Sequence, residues 1–237
     1  IARKIIFSKW KEALGGNVEA IVSGAAALNA KLATLFTAAG IPIIEGYGLT
    51  ETSPVLTSNR LEESERKLGT IGIPIPGVEI KIAEDGEILA KGPNIMKGYY
   101  KRPDLTAEVI DKDGWFHTGD LGVVDHSGYV KLKDRAKDII ISGGENISSI
   151  EVEDALYRHP AVMACAVVAK PDPKWGETPL AFVELKPGMH IEAQELIDHC
   201  KRLLAGFKCP RELRFVELPK TSTGKIQKHL LRAQAKS

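Results

Sequence analysis

The chain has 237 residues, 43% hydrophobic and 27% charged, a composition that excludes a disordered or collagen-like protein and allows one large or two small folded domains. Lys and Arg total 32 against 31 Asp and Glu, and the formal net charge of +1 supplies no overall pull toward nucleic acid or an anionic membrane. Cys165, Cys200 and Cys209 show no CxxC spacing, and no apolar run is long enough to cross a bilayer, so a reduced, cytoplasmic protein is expected.

In chain order, Val18 to Val22 predicts a short apolar strand, followed by the small-residue turn Ser23-Gly24-Ala25-Ala26. Leu28, Leu32, Leu35, Phe36 and Ala39 recur at helical spacing, and Gly40 is a stop signal. Ile41 to Ile44 predicts the next strand. Strand, helix and strand in this length make a βαβ unit with parallel strands, and ligands of such units bind at the strands' C-terminal ends. That end carries Gly46-Tyr47-Gly48-Leu49-Thr50-Glu51-Thr52. Two glycines allow a tight, close backbone; the ring suits a base, the hydroxyl a phosphate and the carboxylate a hard cation such as Mg²⁺. Taken alone, the stretch reads equally well as a polar loop after a strand.

Arg60 to Lys67 is a charged connection. From Thr70 to Lys133 the pattern becomes β-rich, with Val78 to Ile82 alternating and Asp85-Gly86 marking a hairpin, which predicts a small distorted barrel. Within it, Asp120 of Thr118-Gly119-Asp120 suits a ribose diol, although an Asp capping a turn is the plainer account; His117 beside aromatics reads as structural. Asp134-Arg135-Ala136-Lys137-Asp138 reads by itself as a solvated bend. Beyond it, strands at Ile139 to Ile141, Cys165 to Ala169, Leu180 to Leu185 and Leu213 to Leu218 alternate with helices at Ile150 to Arg158, capped by Ser148 or Ser149, along Leu196 to Leu204, and at Gln227 to Ala235. This makes a second unit of about 100 residues, enough for its own core. Thr221-Ser222-Thr223-Gly224-Lys225 is not a Walker A loop, because Pro219 and Ile226 stand where Gly and Ser or Thr are required. It remains a flexible small-residue loop presenting a lysine that, unaided, reads as solvated.

Five motifs in order carry a resemblance: the Tyr47 loop, Gly86-Glu87-Ile88 with Gly98-Tyr99, Thr118-Gly119-Asp120, Asp134-Arg135 with Lys137-Asp138, and Pro219-Lys220 with Thr223-Gly224-Lys225. Together they resemble the adenylate-forming superfamily of acyl-CoA synthetases, luciferases and nonribosomal adenylation domains, over nearly the whole chain. The resemblance implies α/β and α+β architecture. Residues 1–133 would be the C-terminal part of the large adenylation domain, with a βαβ nucleotide-binding segment at 1–69 and a β-barrel-like subdomain at 70–133. Residues 134–237 would be a mobile α+β lid that pivots at an exposed Asp134.

It also implies ATP and CoA as substrates and Mg²⁺ held through Glu51. Tyr47, Gly48, Thr50, Asp120 and Arg135 would bind nucleotide, and Lys225, Thr50 and Glu51 would be catalytic. Gly143, Gly144 and Glu145 would line the CoA path, with Trp175-Gly176-Glu177 nearby, and Gly24 and Ala25 would touch the acyl group. The chain starts at Ile1 and contains no counterpart of the family's Ser/Thr/Gly-rich phosphate loop ending in Pro-Lys. The resemblance therefore implies the C-terminal part of a longer enzyme, inactive without the missing N-terminal part. Gly46 to Asn59 is similar to bacterial long-chain fatty-acid–CoA ligases, whereas Ile139 to Ile150 is closer to medium-chain and general acyl-CoA synthetases. An aryl-CoA ligase, a carrier-loading adenylation domain and a noncatalytic interaction module are the alternatives. The basic tail at Lys228, Arg232 and Lys236 offers a peripheral membrane contact, although a solvated helix face is the simpler account.

Overall fold

The computed structural model describes residues 6–24, 28, 30–222 and 224–236. The chain divides into two compact units, 1–132 and 133–237.

The first unit opens with helix α1 (Ser8–Ala13), strand β1 (Ile21–Ser23), helix α2 (Ala30–Ala38) and strand β2 (Ile43–Tyr47). β1 and β2 are parallel, with Ile21 opposite Ile43 and Ser23 opposite Glu45. β1 is shorter than the expected Val18 to Val22, because only Ile21 to Ser23 find partners on β2. Gly40 ends α2 in a left-handed conformation at φ +72°, as its position predicts. The apolar stripe of α2 is only partly in the core: Ala33 and Ala39 are buried, whereas Leu32 and Leu35 are exposed. Phe36 packs instead on Trp10 of α1, with ring centroids 5.4 Å apart. β3 (Thr57–Ser58) adds antiparallel to β2, and β4 (Ile73–Pro74) adds antiparallel to β3.

A second, four-stranded sheet follows in the order β5 (Glu79–Ile82), β6 (Glu87–Lys91), β7 (Phe116–Val124), β8 (Val130–Arg135), with helix α3 (Pro103–Val109) between β6 and β7. It curls into a half-barrel rather than a closed one. Tyr47, Leu56, Val78, Ile88, Ala90 and Val130 form one core that joins the two sheets, so the end of β2 is fixed against the half-barrel.

The second unit contains β9 (Ile140–Ser142), β10 (Glu145–Ile147), α4 (Ser149–Tyr157), β11 (Val162–Asp172), β12 (Gly176–Leu185), α5 (Ala193–Lys201), β13 (Glu212–Phe215) and α6 (Lys228–Ala235). β11 and β12 form a long antiparallel hairpin, and β13 lies parallel to β12. Strand side chains alternate between faces. Cys165, Val167, Ala181 and Val183 meet α4 and α5 on one face, while Ala166, Val168, Leu180 and Phe182 meet α6 on the other. Burial on both faces explains the unbroken apolar runs that mark these strands in the sequence.

All three cysteines are buried and free. Burial pushes the Cys200 thiol up to about 12 and raises Cys165 and Cys209 as well. Since the thiolate is the reactive form, a colorimetric thiol assay at pH 8 is expected to detect no fast-reacting cysteine in the folded chain and three after unfolding. A stoichiometric fast reaction in the folded chain would contradict this packing.

Candidate active site

Gly46 and Tyr47 end β2 and pair with Ser58 and Thr57 on β3. Between these pairs the chain makes a narrow excursion, closed by Leu56 N–H donating to Tyr47 O at 2.8 Å. The return pass runs so close to Gly48 that a Cβ there would lie 1.7 Å from the Pro54 carbonyl oxygen. Thr50–Thr52 form a single 3₁₀ turn with Thr50 exposed. Fully buried Thr52 ties the loop together: its Oγ1 accepts from Leu49 N–H at 2.9 Å and lies 2.9 Å from the Pro54 carbonyl. Asn94 clamps it from beyond β6, with Nδ2 donating to the carbonyls of Thr52 at 2.9 Å and Val55 at 2.7 Å.

Glu51 is fixed at both ends. Its carbonyl accepts from Met96 N–H at 2.7 Å, and Oε1 accepts from the Tyr99 hydroxyl at 3.0 Å. Burial, followed by the Glu51 carboxylate, raises the Tyr99 phenol above its ordinary value, which keeps it a donor.

Tyr47 donates to Asp120 Oδ2 at 2.7 Å, which joins two motifs 73 residues apart. The two residues are 8% and 7% exposed. Glu87 holds the strand beside them: Oε1 accepts from Gly119 N–H and Oε2 from His117 Nδ1, both at 2.7 Å. His117 is thus a tether for β7, in keeping with its structural reading. Gly24 also lies at this edge, where a Cβ would come 3.1 Å from the Gly46 carbonyl oxygen. Ala25 lies outside the described residues.

In the second unit Asp134 is 1% exposed, which corrects the expectation of an exposed, solvated pivot. Its Oδ2 accepts from Ser149 N–H at 2.5 Å and from the Ser148 hydroxyl at 3.3 Å; its Oδ1 accepts from Arg135 N–H at 2.8 Å. The carboxylate is buried because it satisfies the orphan amides at the start of α4, a position that favours negative charge. Ser148 is the N-cap, its Oγ accepting from Glu151 N–H at 3.2 Å. Arg135 and Glu145 are exposed.

Gly143 and Gly144 turn between β9 and β10 at φ +61° and +88°, a region that favours glycine. A Cβ on Gly143 would sit 2.9 Å from Trp175 Cε3, whereas one on Gly144 would meet open space. The residues on either side of Thr223 in the Lys225 segment are bonded to one another. A bridge between Lys220 and Ile226 joins the segment's ends, Thr221 N–H donates to Lys225 O at 2.8 Å, and Lys225 N–H donates to Thr221 Oγ1 at 3.1 Å. Lys225 is exposed and makes no ion pair among the described residues; Thr223 lies outside them.

Two family models match in succession: the AMP-binding enzyme over residues 3–100 and the AMP-binding enzyme C-terminal domain over residues 151–225. The chain belongs to the AMP-binding enzyme family. A feruloyl-CoA synthase from an Amycolatopsis species is 43% identical over 232 residues, covering 93% of this chain and 47% of that protein. ATP-bound MatB from Rhodopseudomonas palustris superposes with a TM-score of 0.85 at 35% identity, over 91% of this chain and 45% of that one. The o-succinylbenzoate CoA synthetase MenE from Bacillus subtilis, in complex with the acyl-adenylate OSB-AMP, gives 0.82 at 35%, over 93% and 48%. The chain therefore spans just under half the length of these adenylate-forming relatives.

The first family match contains the Tyr47 loop, and the second ends on Lys225. Asp120, Asp134, Arg135, Gly143 and Gly144 fall between the two. Sequence reasoning missed the supports: Thr52, Asn94 and Tyr99 around Glu51, and Glu87 beside Asp120. The Gly86-Glu87 and Gly98-Tyr99 motifs were the available signal for two of them. No group of three or more His, Cys, Asp or Glu able to hold a metal occurs among the described residues. Glu51 Oε2 has no partner among them, so one carboxylate oxygen is available. That fits a Mg²⁺ ion that keeps waters and substrate phosphates as its other ligands, and does not fit an ion caged by protein alone. No helix among the described residues is long and apolar enough to cross a membrane.

Proposed function

We propose that the enzyme carrying this chain is an AMP-forming CoA ligase. A carboxylate oxygen attacks the α-phosphorus of ATP and pyrophosphate leaves, giving acyl-AMP. The CoA thiolate then attacks the acyl carbonyl, and AMP leaves as the thioester forms. The observation that carries this reading is the Tyr47–Asp120 contact. It puts an aromatic ring and a carboxylate at one point beside the signature loop, a pairing suited to the base and ribose of one nucleoside.

Local chemistry is consistent with each role that the resemblance implies. Thr50, exposed at the tip of the 3₁₀ turn, offers a hydroxyl to phosphate. Glu51, oriented by Tyr99, would hold Mg²⁺, whose charge would offset that of the phosphates. Arg135 adds a cation toward the nucleotide. Negative charge builds at the α-phosphate during the first step, and the Lys225 ammonium stabilises it. For the second step the second unit turns about Asp134, Lys225 withdraws, and Gly143, Gly144 and Glu145 border the pantetheine path, where a side chain would block the thiol. The buried, helix-capping Asp134 suits a pivot because rotation passes to backbone dihedrals around it while its carboxylate stays with α4. Without a counterpart of the upstream phosphate loop, the 237 residues alone are proposed to be inactive. The three buried, free cysteines support a cytoplasmic location.

For the acyl group, Gly46 to Asn59 supports a fatty acid. The relatives support an aryl acid equally, since one is named for feruloyl-CoA and another holds an o-succinylbenzoyl adenylate. Gly24 and Ala25 are proposed to border the acyl carbonyl in either case. The test is CoA thioester formation by the full-length enzyme with octanoate, palmitate, ferulate and benzoate. A kcat/KM at least tenfold higher for the straight-chain acids supports the fatty acid, and the opposite order supports the aryl acid. Absence of thioester with every acid would overturn the ligase assignment.

A further inference from the structure

The first residue of α6, Lys228, lies three positions after Lys225, and the proposed reaction gives it no task. Its ammonium nevertheless occupies a built site. Nζ lies 2.7 Å from Glu153 Oε1 and donates to Ser149 Oγ at 2.7 Å. The Lys228 and Glu153 side chains are 19% and 15% exposed. Glu153 Oε1 also accepts from Val167 N–H on β11 at 2.7 Å. Ser149 is fully buried, and its N–H donates to Asp134 at 2.5 Å. One polar chain therefore runs Asp134–Ser149–Lys228, and Glu153 anchors the far end to the central sheet. Four residues on, Arg232 pairs with Asp138, the last residue of the Asp134 segment. α6 is thus tied twice to the segment proposed as the pivot.

We propose that Lys228 is a positioning residue for Lys225. It locks the start of α6, and with it the Lys225 turn, to the helix that Asp134 caps, so the turn and the pivot move as one body. The inference rests on the roles proposed for Lys225 and Asp134. The charge pair suits this task better than an apolar contact. It has a defined direction, and breaking it leaves Glu153 buried without its cation. The Gly143–Gly144 turn packs on Trp175 instead and has no contact with the Lys228 site among those described.

The test compares Lys228→Met, Lys228→Arg and Lys225→Ala in the full-length enzyme, with the two half-reactions assayed separately. Lys228→Met is expected to slow acyl-adenylate formation at least tenfold, leave conversion of supplied acyl-adenylate and CoA to thioester within twofold, and be largely rescued by Lys228→Arg. Amide hydrogen exchange supplies a second readout. Exchange at Gly224 and Lys225 should accelerate at least tenfold in Lys228→Met, while the Gly143 amide, bonded to Trp175, stays unchanged. A general loss of stability would move both regions, and both half-reactions, alike; that result would overturn the positioning role. So would normal adenylation by Lys228→Met beside a dead Lys225→Ala. If Lys225→Ala itself forms acyl-adenylate normally, the reaction proposed above fails first and the inference falls with it.

Discussion

Lys225→Ala in the full-length enzyme is expected to lower acyl-adenylate formation by at least 10²- to 10³-fold, the typical loss on removing one preorganised charge stabiliser from a transition state. Conversion of supplied acyl-adenylate and CoA to thioester should stay near the unsubstituted rate. The structure supports this split through the turn that carries the residue. Lys225 N–H and C=O are both bonded to Thr221, so the backbone is fixed while the side chain projects into solvent. Gly144→Trp is expected to give the opposite result. A Cβ there meets no atom within 4 Å, so a side chain can leave the backbone without a clash at its root, and the ring would stand in the proposed pantetheine path. Its φ of +88° adds a local strain cost of about 1–3 kcal/mol. Assaying both half-reactions for both variants checks the pair. Equal slowing of both steps by either substitution would contradict a unit that presents two faces in turn.

The second large effect is on folding. Gly48→Ala is expected to destabilise the first unit by about 3 kcal/mol or more, at or above the upper end of ordinary overpacking. The added Cβ would lie 1.7 Å from Pro54 O, 2.7 Å from its carbonyl carbon and 2.9 Å from Val55 Cα. All three are backbone atoms, and Asn94 holds that pass through the Thr52 and Val55 carbonyls, so no flexible side chain can yield. For a chain of this size the loss corresponds to a fall in Tm of at least about 6 °C. Gly206→Ala is the control, since no atom lies within 4 Å of a Cβ there; it should stay within about 0.5 kcal/mol of the starting protein. Equal Tm values for the two variants would show that the signature loop can open to admit a side chain.

The sequence makes legible the features with strong local causes. Gly40 stops α2, Ser148 caps α4, Asp85-Gly86 turns the β5–β6 hairpin, and the apolar runs at Cys165 and Leu180 become the β11–β12 hairpin, covered on both faces. Helix α3 was missed because its seven residues, Pro103–Val109, are too short to show a periodic apolar stripe and none is buried. The exposed pivot at Asp134 was a misreading with a physical cause. A run of five residues with four charges resembles a solvated bend, and only the tertiary fold shows that one carboxylate caps a helix fifteen residues later. The same limit hid the supports of the site. Tyr99 bonds Glu51 across 48 positions and Lys228 bonds Ser149 across 79, and no local pattern encodes such pairs.

The most direct test of the central claim is ATP–pyrophosphate exchange by the full-length enzyme with a carboxylic acid, Mg²⁺ and no CoA. Exchange is expected to require the acid, to proceed without CoA and to fall to background in Lys225→Ala, with AMP as the nucleotide product once CoA is added. Acid-independent exchange, no exchange until CoA is present, or release of ADP and phosphate in place of AMP and pyrophosphate would contradict an acyl-adenylate intermediate.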